Sequence, residues 1–275
     1  MLTILLGLLA ALAWGAPDSI LARGVRSIGA FPMVFASTAL GAALSVPLVV
    51  VAGRPDLSER ALWLVLLVAV LTVLGFQAGL MAFSNGAVSV VAPIVSCEGG
   101  VAAALSLAAG ERVGSLILVG IPLALLGVVL VSSSGGGGRG GVLPAAIAAI
   151  LWGGVLALSA PLASELGVIW AFVLVRLTAV ALMAPLAISR NVLVAARTQI
   201  WPVVAWGVGD AVAYFSFVVA ADRGPASVAG VLAAQFGTVG ALGAVLFFGE
   251  RLRRRQQVGL ALVAVAVALM ALAVG

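Results

Sequence analysis

The sequence has no lysine, no histidine, one cysteine and one tyrosine, and only 8% of its residues are charged. A soluble domain carries roughly 25% charged residues, so an ordinary water-exposed globular surface is excluded. A single thiol, Cys97, allows no disulfide within these residues and says nothing of redox compartment. All fourteen basic residues are arginines, and the net charge is +5. They sit at the ends of apolar segments, with no basic face and no aromatic ladder, which excludes a nucleic-acid partner. No residue cluster suits a metal, and no cofactor is expected.

What is present is hydrophobic: 64% of the chain. Residues 27–53, 113–138, 140–164 and 224–249 hold no charge, and a helix of about 20 residues crosses a bilayer. Residues 61–97 are too many for one crossing and divide at the turn signal Ser84-Asn85-Gly86. The spacing predicts helices 1 to 10 at 2–21, 30–52, 61–83, 87–108, 114–132, 142–164, 168–188, 200–221, 225–248 and 256–274. The expected fold is an all-α membrane protein of ten transmembrane helices, with a lipid bilayer as its surroundings. Nothing in these residues is left over for an ATPase or kinase domain.

The chain repeats at an offset of 138 residues. Leu9–Gly15 returns as Ile147–Gly153, including Trp14-Gly15 as Trp152-Gly153. Pro47-Leu48 maps onto Pro185-Leu186, Phe76 onto Tyr214, and Ser89-Val90 onto Ser227-Val228. Gly110-Glu111-Arg112 returns as Gly249-Glu250-Arg251 with one residue inserted. The expected domains are a first five-helix repeat (1–132), a Gly-rich linker (133–141) and a second five-helix repeat (142–275). Five is odd, so the second half enters the membrane in the opposite sense, which makes an inverted repeat. The linker lacks the Gly-Lys-Ser/Thr ending of a phosphate-binding loop. Residues 2–14 resemble a signal peptide but lack a basic start, and their mid-chain copy argues against cleavage.

The Ala/Leu-Trp-Gly pairs, Arg176 early in helix 7, Gly-Glu-Arg after helices 4 and 9, and the Ala/Ser-rich entries to those helices resemble one family. It is the ten-helix EamA-type branch of the drug/metabolite transporter superfamily. The resemblance implies a secondary carrier, commonly an exporter of amino acids or other small metabolites, with a central pocket between the halves. Helix 4 carries the family-like Pro93, whereas its mate is Val231; Arg176 has Thr38 as its mate.

Three charges fall near helix midpoints: Glu98, Arg176 and Asp210. Each costs about 2.5–3.5 kcal/mol at a helix centre and needs a partner or a watery cavity. Their mates are Phe236, Thr38 and Thr72, so they are not symmetric scaffold. Two acids and one base leave an acid in surplus. Either Arg176 holds one carboxylate and the other takes a proton or a cationic substrate group, or Arg176 forks both acids. Asp18, after Pro17, is read as an interfacial Asp at the end of helix 1, against a polar mouth in a broken helix.

Trp14 and Trp152 are expected as facing walls of a pocket or as packing residues. Phe76, Gln77 and Tyr214 occupy matched positions that could share that cavity. Gln235 needs a hydrogen bond across helices or to substrate. Trp63, Trp170 and Trp201 start helices, as interface anchors do. Gly99, Gly100 and Ala103, with Gly237, Gly240 and Gly243, give close-contact stripes on helices 4 and 9.

Gly207-Val208-Gly209-Asp210 also matches the Gly-x-Gly-Asp of intramembrane aspartyl proteases, which need two carboxyls sharing a proton. Asp210 has no such neighbour in sequence. A non-transporting membrane subunit is the other alternative. The reading adopted is a non-enzymatic secondary active or facilitative exporter of a small metabolite by alternating access. The expected setting is a bacterial inner membrane, the expected assembly a monomer or homodimer. The substrate-binding set is Trp14, Phe76, Gln77, Glu98, Trp152, Asp210, Tyr214 and Gln235; the charge network is Glu98, Arg176 and Asp210, with protons as a coupling partner. Cytoplasmic termini follow from the resemblance. They place Arg54, Arg60, Arg112 and Arg223 inside and the other nine loop arginines outside, against the positive-inside rule.

Overall fold

A computed structural model of the chain describes residues 1–17, 25, 27–85, 91, 94–132, 141–239, 242 and 253–274. Asp18, Gly86, Ser89-Val90, Pro93, residues 133–140, Gly240, Gly243 and Gly249-Glu250-Arg251 lie outside them. Within the described residues, regular structure is entirely helical. That is the expected result for apolar segments in lipid, where each backbone N–H and C=O has to be satisfied inside its own helix.

The helices are α1 (Leu2–Gly15), α2 (Ala30–Ser45), α3 (Glu59–Asn85), α4 (Glu98–Ala108), α5 (Ser115–Ser132), α6 (Val142–Leu166), α7 (Val168–Ser189), α8 (Ile200–Arg223), α9 (Ala226–Ala233) and α10 (Arg254–Val274). A 3₁₀ helix, Val46–Val51, continues α2 past Pro47, and a short surface helix, Val192–Arg197, joins α7 to α8. Among the described residues, six helices are long and apolar enough to cross a membrane: Ala30–Val51, Glu59–Ala82, Val142–Leu166, Val168–Ser189, Ile200–Arg223 and Arg254–Ala273. Four shorter apolar helices fall below that length: Leu2–Gly15, Glu98–Ala108, Ser115–Val131 and Ala226–Val239. Of the ten expected spans, six are seen among the described residues, and Glu98–Ala108 and Ala226–Val239 lie close to residues outside them.

Helices 4 and 9 are not continuous. In the fourth, the Cys97 N–H donates to the Ile94 carbonyl at 3.1 Å, and the Cys97 carbonyl accepts from Gly100 at 2.9 Å and Val101 at 3.0 Å. In the ninth, Gln235 donates to Leu232 at 3.1 Å and accepts from Thr238 at 2.9 Å and Val239 at 3.1 Å. Each of the four residues in the second break is a partner of the first at an offset of 138. The chain tightens from i→i−4 to i→i−3 bonding at Ser96-Cys97 and again at Ala234-Gln235, where the following turns hold Gly99, Gly100 and Gly237, poor helix formers.

Many of the main helix contacts recur when the halves are exchanged. α1 packs on α8 and α9, and its mate α6 packs on α3 and α4; α2 packs on α8 as α7 packs on α3; α4 meets α9 and α5 meets α10. Glycine allows the tightest crossings. A Cβ on Gly15 would stand 2.6 Å from the Phe236 carbonyl oxygen, and one on Gly153 would stand 2.8 Å from the Glu98 carbonyl oxygen. The Trp-Gly pairs thus place each half's first helix against the break of the other half. Large apolar side chains such as Leu5, Val50, Leu62, Val119, Leu143 and Ile188 are exposed, as residues facing lipid are.

Candidate functional site

The charge network forms around α7 and α8. Arg176 and Asp210 are both buried. The Arg176 Nη1 donates to Asp210 Oδ2 at 2.7 Å, and Nη2 donates to the Asp210 backbone carbonyl at 2.9 Å. Trp14 Nε1, from α1, donates to the other carboxylate oxygen at 2.9 Å. Asp210 of α8 is therefore held from two other helices, α1 and α7. The guanidinium lies 5.0 Å from the ring centre of Phe172, one turn earlier on α7, and 5.4 Å from that of Tyr214, one turn later on α8. Cation–π contacts of this length stabilise a desolvated guanidinium. The Tyr214 hydroxyl in turn shares a 3.3 Å hydrogen bond with Ser159 Oγ on α6. Gly41 of α2 leaves the space the guanidinium fills, since a Cβ there would be 2.9 Å from Nη1.

Glu98 is not part of this network. It is the first residue of α4, directly after the break, and 6% exposed. Its carboxylate forms no hydrogen bond or ion pair with the described residues. Around it, Gly153 of α6 abuts its carbonyl, and Gly99 sits against Ala234 and the Gly230 carbonyl of the ninth helix. Arg176 thus does not fork both acids: its Nη groups are spent on Asp210, and among the described residues no base faces Glu98. Among the described residues no second carboxyl meets Asp210, whose two oxygens face an arginine and an indole.

Trp14 and Trp152 do not face each other as pocket walls. Trp152 lies in a notch on α3 made by Gly75 and Gly79, where added Cβ atoms would stand 2.6 and 2.7 Å from its ring. The edge of Phe76 meets it at 5.6 Å, and Phe76 also meets Trp206 at 5.8 Å. Phe76 and Tyr214, although repeat mates, belong to separate clusters. Gln77 is half-buried beside Phe76. Among the described residues Gln235 bonds within its own segment: Nε2 donates to the Val231 carbonyl at 3.2 Å and Oε1 accepts from Thr238 Oγ1 at 3.1 Å. The break leaves the Val231 carbonyl without the Gln235 N–H, and the Gln235 amide takes it instead. Trp63 and Trp201 are exposed at helix starts, and Trp170 donates from Nε1 to the Gly53 carbonyl at 3.1 Å.

Sequence reasoning missed Phe172, Ser159 and Trp206. Phe172 was findable in principle, since it lies four residues from Arg176, one helical turn away, as Tyr214 does from Asp210. Two cavities are framed by described residues. One of about 250 Å³ is lined by Leu44, Ser45, Leu48, Phe172, Val208 and Phe215 among others. The other, about 360 Å³, lies at the helix ends around Leu166, Trp170, Asp222 and Arg223. Neither is lined by Glu98, Trp14 or Trp152.

The comparisons with known proteins agree with this architecture. A family model, the EamA-like transporter family, matches twice, at residues 1–133 and 139–272. A crystal structure, titled only as that of a protein, superposes with a TM-score of 0.79 at 19% identity over 98% of both chains, which shows a shared fold. No curated protein matches. Two matches in tandem span almost the whole chain, and the chain belongs to the EamA-like transporter family, as an integral multi-pass membrane protein.

Proposed function

We propose that the protein is an alternating-access carrier that exports a small metabolite such as an amino acid. Its halves, 1–132 and 142–275, act as two inverted five-helix units joined by the 133–141 linker. The observation that carries the coupling is the buried Glu98 carboxylate, without a partner among the described residues, beside a break in its own helix. Discontinuous helices at a repeat interface are where secondary carriers hold substrate and coupling ions. A buried carboxylate without a compensating charge is costly unless it takes a proton or meets a cation. Arg176 is unavailable for that role, because Asp210 and the two aromatic rings already hold it. The Trp14–Asp210–Arg176 network then acts as a fixed frame and Glu98 as the group that changes charge during transport. With no ATP-binding motif, the motive force is an ion gradient or the substrate's own.

The test is a pH-gradient experiment in proteoliposomes with a panel of radiolabelled amino acids. Glu98→Gln keeps the side chain's shape and removes its titration. The expected result is uptake by the variant that no longer responds to an imposed pH gradient. Unchanged pH-driven uptake removes Glu98 from coupling.

A further inference from the structure

The cavity of about 250 Å³ between α2, α7 and α8 lies next to the charge network without belonging to it. Ser45, Phe172 and Ala211 line it and are buried, whereas Leu44, Val208 and Val212 at its rim are 50%, 41% and 43% exposed. The rim residues belong to the spans Ala30–Val51 and Ile200–Arg223. Apolar side chains exposed on a membrane span face lipid, so the cavity is a groove that opens on the bilayer. It offers no polar group to an occupant. Ser45 is the one polar side chain among the described lining residues, and its hydroxyl donates to the Ala42 carbonyl of its own helix at 2.6 Å. A water or a polar headgroup would enter without hydrogen bonds.

The repeat supplies an internal comparison. At an offset of 138, Ser45 maps onto Met183, Ala211 onto Val73 and Phe172 onto Val34. At that repeat-related place the side chains close on one another: Met183 and Val34 share one buried cluster, and Val73 packs against it. There the protein fills the gap with its own atoms. Ser45 and Ala211 are too short to do the same. The larger Phe172 and Phe215 do not compensate, because their rings meet each other edge-on at 5.3 Å and form the wall. An unfilled gap forfeits dispersion contacts along its whole lining. At a groove that faces lipid, the atoms at hand to restore them are acyl methylenes.

We propose that this groove binds one phospholipid acyl chain, in the place that Met183 and Val73 fill at the repeat-related site. The chain lies against Phe172, whose ring centre is 5.0 Å from the Arg176 guanidinium. It therefore backs the wall that holds the buried ion pair. The site is independent of the transport reading and of the role of Glu98.

The experiment is photo-cross-linking in phosphatidylcholine vesicles that carry a small fraction of phosphatidylcholine with a diazirine in its acyl chain. Adducts are mapped by peptide mass spectrometry. Leu182 and Leu74, the mates of Leu44 and Val212, are 43% and 50% exposed and serve as controls of matched exposure. The expected result is several-fold more adduct at Leu44 and Val212 than at Leu182 and Leu74. Ser45→Met/Ala211→Val, which copies the filled site, is expected to bring the two places level. Equal yields in wild type overturn the site, because that pattern is lipid covering the surface without preference. An excess that survives in the filled variant also overturns it. Gel filtration and thermal unfolding check that the variant folds; should it not, the wild-type comparison decides alone. The readout needs no transported substrate, so its failure is separate from failure of the Glu98 coupling test.

Discussion

Arg176 shows how one residue's surroundings decide its role. The guanidinium is balanced by one carboxylate, one backbone carbonyl and two ring faces. Removing one partner of a buried ion pair leaves an uncompensated charge, at a cost of about 3–5 kcal/mol. Arg176→Gln is therefore expected to lower the thermal unfolding temperature of the detergent-solubilised protein sharply, and Asp210→Asn likewise. The double variant Arg176→Met/Asp210→Leu should recover much of the loss, since it strands no charge. A double variant as unstable as the sum of the singles contradicts this account. The presence of three buried charges was legible in the sequence, because each interrupts an apolar run. Their pairing was not: Arg176 and Glu98 are as compatible in chemistry as Arg176 and Asp210. Only the register of α7 against α8 separates them.

At the scale of the helices, glycine decides where two elements cross. Gly153 faces Val101 and the Glu98 carbonyl of α4, whereas its neighbour Gly154 would meet only the Leu71 Cδ1 at 3.3 Å. Overpacking against backbone typically costs about 1–3 kcal/mol. Gly153→Ala is expected to destabilise the protein by that order in a thermal-shift assay, while Gly154→Ala leaves it near wild type because a leucine methyl can turn aside. Equal effects at the two positions contradict the crossing at Gly153. The Trp-Gly repeat was plain in the sequence, and its glycine could be read as close packing. That it packs on the first carbonyl after a break could not be read. The breaks themselves carry weak local signals: Ser96-Cys97 and Ala234-Gln235 contain neither glycine nor proline, so a continuous helix was the natural reading at both.

For the whole molecule, the recurring helix contacts and the tandem family match describe the same duplication. The side of the membrane on which the termini lie is a separate matter. The family resemblance favours the cytoplasm, against nine arginines to four. A reporter active only in the cytoplasm, fused to the C-terminus, is expected to be active. A silent cytoplasmic reporter with a working periplasmic one reverses the orientation.

The sequence by itself determined the membrane class, the duplication and the positions where the copies differ, because these depend on hydropathy and on residue identity at a fixed offset. Apolar length dictates helix, and a charge inside an apolar run marks itself. Tertiary structure alone decided which acid Arg176 holds, that Trp14 serves Asp210 while Trp152 fills a glycine notch, and that helices 4 and 9 break. It also decided that Glu111 reaches Ser227, 116 residues away. Each of these depends on the relative rotation and height of helices from different halves. That is set by side-chain volume at the crossings, and no local pattern along one helix encodes it.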